Sequence, residues 1–285
     1  MNIVFAHPRY VYQSYVDYRR LAELSGFESC FVDQIDFQRE AFYIVTPING
    51  EFRPHVQNHP GPRKCRIAWW NLERPDSGPG VPAALVGAEV ANVTGDILQF
   101  VDYVWCSDWY MCDMDQRQVY VVCGSHPGLA EGPRRTMWGW DLCHLSYMSG
   151  RRQSVMAGLQ DARLTIAGSA WGPERDAVLR GSKAHVYIHQ TPAPIGAPLR
   201  FALAAAYGIP LIAEKMENAF PLRPGKDYYE IQYSSAVNQV LTALDGLHLQ
   251  DLGKELHTRL CVEFSFRKCV EKGVEDSLAR GDIDI

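Results

Sequence analysis

Apolar positions fall into short β-prone runs, each followed by a polar break and then a segment spaced for one buried helical face. In the first half the runs lie at 2–6, 29–33, 42–46, 65–70, 103–106 and 119–123. Segment 10–24 carries its apolar side chains at helical spacing, and Gly26 stops it. Residues 49–62 and 76–82 are rich in Pro, Gly, Asn or His and read as exposed loops.

A second series begins after residue 140. Strand-like runs at 142–147, 163–167, 184–188, 211–213 and 228–232 alternate with helix-like segments at 151–160, 173–181, 199–207 and 236–245. Pro173 stands in a first helical turn, where its missing N–H costs nothing, and Gly208 and Pro210 end the helix at 207. Segments 249–263 and 267–279 read as closing helices. Strands that alternate with helices predict parallel sheets covered on both faces. Between 124 and 140 the composition shifts to Gly, Pro and Arg, a linker pattern. The fold class expected is α/β, with a Rossmann-like domain at 1–135 and another at 136–285.

Chemistry concentrates in the second half. The stretch 191–198 holds three prolines and Gly196, so it is a loop between a strand and a helix. In an open α/β sheet ligands gather where loops leave the strand ends and helix N-termini present unpaired N–H groups. Gly196 before a helix is thus a candidate diphosphate seat, with Glu214 at the end of the next strand.

Composition narrows the classes. Of the 285 residues 47% are hydrophobic and 11% aromatic, enough for substantial cores. No apolar run approaches the roughly 20 residues of a membrane span. The N-terminus opens as a strand without the basic start of a signal peptide, which predicts a cytoplasmic protein. Eight cysteines lack a CxxC pair and read as reduced thiols. The net charge of −5 argues against a mainly basic nucleic-acid surface, though not against a local basic groove. No GxGxxG follows the first strand, and GxxxxGK[ST] and GxSxG are absent, so dinucleotide, P-loop and serine-hydrolase chemistry lose their main support. No residue grouping has metal-ligand character; Asp113 and Asp115 read as a solvated turn.

The segments IAGSAWG at 166–172, LRGSKAHVYIH at 179–189 and PLRFALAAAYGIPLIAE at 198–214 resemble the C-terminal domain of GT-B glycosyltransferases. The likeness is to CgeB-like proteins and to family 4-like C-terminal domains. WWNLERP at 69–75 and VDYVWCSD at 101–108 add a weaker similarity in the first half. The resemblance implies two Rossmann-like domains facing across a cleft. It also implies transfer of a sugar from a nucleoside-diphosphate donor, such as a UDP-sugar, to a hydroxyl acceptor. No cofactor or metal is implied beyond that co-substrate. Many such enzymes hold the ribose with a glutamate in the helix where this chain has only apolar residues at 202–206, and Glu214 is the candidate substitute.

On that resemblance the donor site comprises Arg151, Arg152 and Arg200 for phosphate, with Lys183 as a further cation. Arg151, Arg152 and Arg200 lie in first helical turns, where cations oppose the helix dipole. Gly168, Ser169 and Trp171 form the turn expected against the nucleobase; His189, Gly196 and Glu214 complete the donor side. Candidate bases for the acceptor hydroxyl are His7, Glu73 and Asp108, all at strand ends of the first half. The acceptor classes are a small molecule, a glycan, a protein side chain or a hydroxymethylated pyrimidine in DNA. The last would suit a compact virus-encoded enzyme acting in host cytoplasm. Basic clusters at Arg63 and Arg66, Arg134 and Arg135, and Arg151 and Arg152 would flank the duplex, and Trp69, Trp70 or Trp109 would stack on a flipped base. A non-catalytic nucleotide-sugar sensor, or another nucleotide-sugar enzyme such as an epimerase, is the alternative.

Overall fold

The computed structural model describes residues 1–9, 13–46, 52–59, 61–71, 99–107, 118–130, 132, 139–168, 170, 172–192 and 196–280. The chain forms two compact units, residues 1–122 with 267–285, and residues 123–266.

The first unit contains six strands, β1 (Asn2–His7), β2 (Glu28–Phe31), β3 (Ala41–Val45), β4 (Arg66–Asn71), β5 (Tyr103–Cys106) and β6 (Gln118–Tyr120). They pair in the order β2-β1-β3-β4-β5-β6, all parallel. Every residue of β3 and β5 is buried, because a parallel sheet covered on both faces puts alternate side chains into two cores. Tyr43, Val45, Ile67 and Val104 fill one core. Phe42, Trp70 and Trp105 pack ring against ring elsewhere, with Trp70 and Trp105 edge-to-face at 5.4 Å. Trp70 is 0% and Trp69 6% exposed, so both rings are core side chains and neither is a base-stacking platform, contrary to expectation.

The second unit holds β7 (Trp140–His144), β8 (Leu164–Ile166), β9 (Ser182–Tyr187), β10 (Leu211–Glu214) and β11 (Tyr229–Ile231), in the order β11-β10-β9-β7-β8, again parallel. Leu142, Ala184, Val186, Ile188 and Ile212 pack against Val155 and Met156 of helix Gly150–Ala157 and Val240 and Ala243 of helix Ala236–Asp245. Tyr187, Leu211 and Ala213 pack instead with Phe201, Ala204 and Ala205 of helix Pro198–Tyr207 and with Leu256 and Leu260. Two differently populated cores on one chain segment are what alternation of side chains along a parallel strand produces.

Two expectations are corrected. The stretch 49–62 was expected to be loop, yet it contains helix Phe52–Gln57. Phe52 and Val56, one helical turn apart, are both buried, and Pro54 falls in the first turn, where no backbone N–H is needed. The division of the chain also differs from a break at 135: it falls at 122, and the terminal helix Phe266–Ala279 returns to the first unit. There the Trp105 indole Nε1 donates to Ser277 Oγ at 2.9 Å, and Gly273 lies so close that a Cβ would come within 2.8 Å of Val121. Ser277→Ala leaves that fully buried indole N–H without its acceptor. The expected cost is about 1–3 kcal/mol of stability, read as a lower denaturant midpoint at unchanged slope.

Candidate functional site

Because all five strands of the second unit run parallel, their C-terminal ends share one edge, and the helices that follow begin there. The loop after β7 is clamped at three successive residues. Arg200 Nε donates to Leu145 O at 2.9 Å, and Arg152 Nη1 donates to Tyr147 O at 2.7 Å. Between them, Ser146 O sits against Gly168, where a Cβ would lie 2.5 Å away, so only glycine fits. Ser149 caps the following helix by accepting from the Arg152 N–H at 3.4 Å. Arg152 Nε donates across to Ile188 O at 2.8 Å, at the end of β9.

Arg152 is 2% exposed, and no carboxylate pairs with it among the described residues. Burial pushes its pKa down to about 10; Arg200 and Arg151 push in the same direction, while Tyr187 and Glu214 oppose them. A buried cation held only by carbonyls is costly and calls for an anion. Its sequence neighbour is treated differently. Arg151 forms a two-pronged ion pair with Glu214, Nη1 to Oε2 at 2.6 Å and Nη2 to Oε1, and also donates to His189 O at 3.2 Å. The Tyr233 ring lies 3.6 Å from the Arg151 guanidinium carbon, and the His189 N–H donates to Glu214 Oε2 at 2.9 Å. This network ties together the starts of loops leaving β7, β9, β10 and β11.

Beneath the rim lie buried histidines. His144, at the end of β7, has Nδ1 2.9 Å from Val186 O, and its Nε2 has no partner among the described residues. Burial, reinforced by Arg152 and Arg200, pushes its pKa down to about 3. His185 on β9 is fully buried with both ring nitrogens lacking partners among the described residues, and burial lowers its pKa well below the ordinary histidine range. Both are neutral at physiological pH.

The structure brings Arg151, Arg152, Gly168, His189, Arg200 and Glu214 to this one edge. His189 is held there by its Nε2, 2.9 Å from Lys215 O. Gly196 stands in the loop before helix Pro198–Tyr207, facing Phe201 and Met216. Lys183 is not part of the group: it lies at the beginning of β9, the opposite end, where its Nζ donates to Leu244 O. Ser169 and Trp171 fall outside the described residues. Sequence reading missed Tyr233, Ser146 and His144; each follows or ends a strand of this sheet, the positional rule that did locate Glu214.

In the first unit His7 ends β1 at the corresponding edge and is 6% exposed. Its ring meets Phe31 edge-on at 5.0 Å, with Nδ1 3.3 Å from Pro8 O. Burial lowers its pKa, Arg19 adds to the effect, and the Pro8 carbonyl and Glu23 oppose it, leaving a neutral imidazole able to take a proton. Glu73 and Asp108 fall outside the described residues. Arg63 and Arg66, expected to flank a duplex, instead converge on Asp102 at 3.6 and 3.4 Å, at the start of β4. Arg134, Arg135 and Trp109 fall outside the described residues. Among the described residues no cluster of three or more His, Cys, Asp or Glu could hold a metal ion, and no helix is long and apolar enough to cross a membrane.

Two parallel, helix-covered sheets of this kind define the GT-B fold of glycosyltransferases. TarM superposes on 93% of this chain with a TM-score of 0.58 at 8% identity; the chain spans 58% of TarM. AviGT4, a glycosyltransferase involved in avilamycin A biosynthesis, gives 0.55 at 10% identity over 98% of this chain and 97% of its own. HepE of Anabaena, crystallised with UDP and glucose, gives 0.54 at 9% identity over 96% and 99%. No protein-family model matches the chain, and no curated protein matches it in sequence.

Proposed function

We propose that this chain is a glycosyltransferase that moves a sugar from a nucleoside-diphosphate donor to a hydroxyl acceptor, with the donor seated at the C-terminal edge of the second sheet. The observation that carries this reading is Arg152, a buried guanidinium without a carboxylate partner among the described residues, set beside Arg151 and Arg200. That a GT-B neighbour is crystallised with UDP and glucose agrees with it. The finer placement is with CgeB-like and family 4-like enzymes, working on a UDP-sugar without a metal or other cofactor.

In the reaction the bond between the sugar's anomeric carbon and the β-phosphate oxygen breaks, and its electron pair stays on that oxygen. The acceptor oxygen forms the new bond to the anomeric carbon and gives its proton to a base. The proposed base is His7, Glu73 or Asp108, of which His7 is kept neutral by burial. The arginine cluster stabilises the charge that develops on the leaving diphosphate without needing to reorganise. For the acceptor, a small hydroxyl compound or glycan is favoured over DNA, because Trp69 and Trp70 are core residues and Arg63 and Arg66 share the carboxylate of Asp102, which offsets part of their charge.

The test is a panel of UDP- and GDP-sugars scored for thermal stabilisation and for release of nucleoside diphosphate. One donor is expected to do both. Arg200→Ala, which removes one hydrogen bond to Leu145 O but a charged phosphate contact, is expected to weaken donor binding roughly 10- to 100-fold. Stabilisation without release by any donor would make the protein a sensor. Duplex binding that falls steeply with salt would restore the DNA acceptor.

A further inference from the structure

Glu214 is the only acid among the described residues in direct contact with the arginine cluster, and its position explains more than the anchoring of Arg151. Its carboxylate accepts two hydrogen bonds from Arg151 and one from the His189 amide, and it is 7% exposed. Roughly four acceptor positions exist on a carboxylate, so little remains for the ribose hydroxyls that the family resemblance would assign to it. Its charge, however, is not used up. The three guanidinium groups and one carboxylate sum to about +2, since the nearby histidine His144 is neutral, Arg175 and Asp176 pair with each other, and the exposed Glu174 and Lys215 at the same edge are opposite in sign.

We infer that Glu214 sets the rim charge so that the site holds an intact sugar nucleotide in preference to the nucleoside diphosphate left after transfer. This rests on the reading of the site as a donor site. A sugar nucleotide carries about two negative charges. Once the glycosidic bond to phosphate breaks, the terminal phosphate gains an ionisable oxygen with a second pKa near 6, so the product carries about three at neutral pH. A rim of +2 balances the donor and leaves the product's extra charge unmatched. Glu214 thereby favours product release while still fixing Arg151.

The experiment is calorimetric titration of the full chain with UDP and UDP-glucose, and with GDP and GDP-fucose. Glu214→Gln raises the rim to about +3 and is expected to shift the affinity ratio of nucleoside diphosphate to sugar nucleotide about tenfold toward the diphosphate. Arg200→Gln lowers the rim charge and is expected to shift the ratio the other way. The double variant Arg151→Gln, Glu214→Gln returns the charge to +2 and is expected to restore the wild-type ratio. If Glu214→Gln fails to fold, the other two variants decide the matter. A Glu214→Gln protein that loses affinity for both ligands in equal proportion overturns the inference in favour of a ribose contact, and an unmoved ratio overturns it outright. If the wild-type chain binds none of the four ligands, the donor-site reading falls as well, whereas binding with an unmoved ratio sinks the charge assignment alone.

Discussion

Arg152→Met is expected to abolish nucleotide binding while changing the stability of the free protein by no more than about 2 kcal/mol. Two opposing terms set the stability. The variant leaves the carbonyls of Ile188 and Tyr147 without their donors, each worth about 1–3 kcal/mol when buried. Against this, the charged side chain is itself strained by burial: holding its pKa at about 10, well below the ordinary guanidinium range, corresponds to about 3 kcal/mol against the charged form. Methionine fills a similar volume without a charge, so much of the loss is recovered. Binding has no such compensation. A diphosphate that meets this guanidinium away from water loses a charge-assisted contact, and affinity is expected to fall more than 100-fold. In wild type, a donor at 100 times its Kd adds about 2.7 kcal/mol, enough to raise Tm by about 5–10 °C for a unit of this size. That rise should vanish in Arg152→Met while the ligand-free Tm stays within about 8 °C of wild type. A retained ligand-induced rise would show that Arg152 is a purely structural strut.

Much of this site was readable before the structure, for a specific reason. Arg151, Arg152 and Arg200 stand in first turns of helices, where the dipole disfavours cations, and each follows a strand end of an alternating pattern. Helices Pro173–Gly181 and Ala236–Asp245 were readable to the residue because Pro, Gly and the apolar spacing mark their ends. What was hidden is long-range. Consecutive helical residues point about 100° apart, so Arg151 and Arg152 had to part company, yet nothing local says which pairs with Glu214 and which is buried under the β7 loop. Lys183 was misplaced because β9 begins at Ser182, which puts the lysine inside the strand start and away from the ligand edge. Helix Phe52–Gln57 lay under a loop-like composition, and its two buried side chains were the only clue. The return of helix Phe266–Ala279 to the first unit depends on contacts such as Trp105 to Ser277, more than a hundred residues apart, which no window of sequence contains.

Acidification is expected to destabilise the protein early, between pH 6.5 and 4.5, through the two histidines beneath the rim. Unfolded, each takes up a proton near pH 6.5; folded, His144 does so only near pH 3 and His185 well below 6.5. Below pH 6.5 the unfolded state therefore binds more protons, and stability falls as pH falls, by about 1.4 kcal/mol per pH unit for His144, with His185 acting in the same direction. From pH 7 to 4.5 His144 alone should cost about 3 kcal/mol, with His185 adding to it in the same direction, visible as a falling denaturant midpoint. The carboxylates Glu28 and Asp141 are held low by Arg39 and Arg163 and begin to matter only at lower pH, so they do not account for a loss above pH 5. His185→Leu removes one histidine without breaking a side-chain hydrogen bond known among the described residues, and should make the slope shallower. An unchanged slope would place the acid sensitivity elsewhere. The same electrostatics couples this loss to the ligand. Arg152 and Arg200 both hold His144 neutral, so a diphosphate that neutralises them relieves part of that repulsion and raises its pKa. Donor-bound protein should consequently lose less stability between pH 6.5 and 4.5 than free protein, and an equal loss in both would mean that the bound anion does not sit between those two arginines.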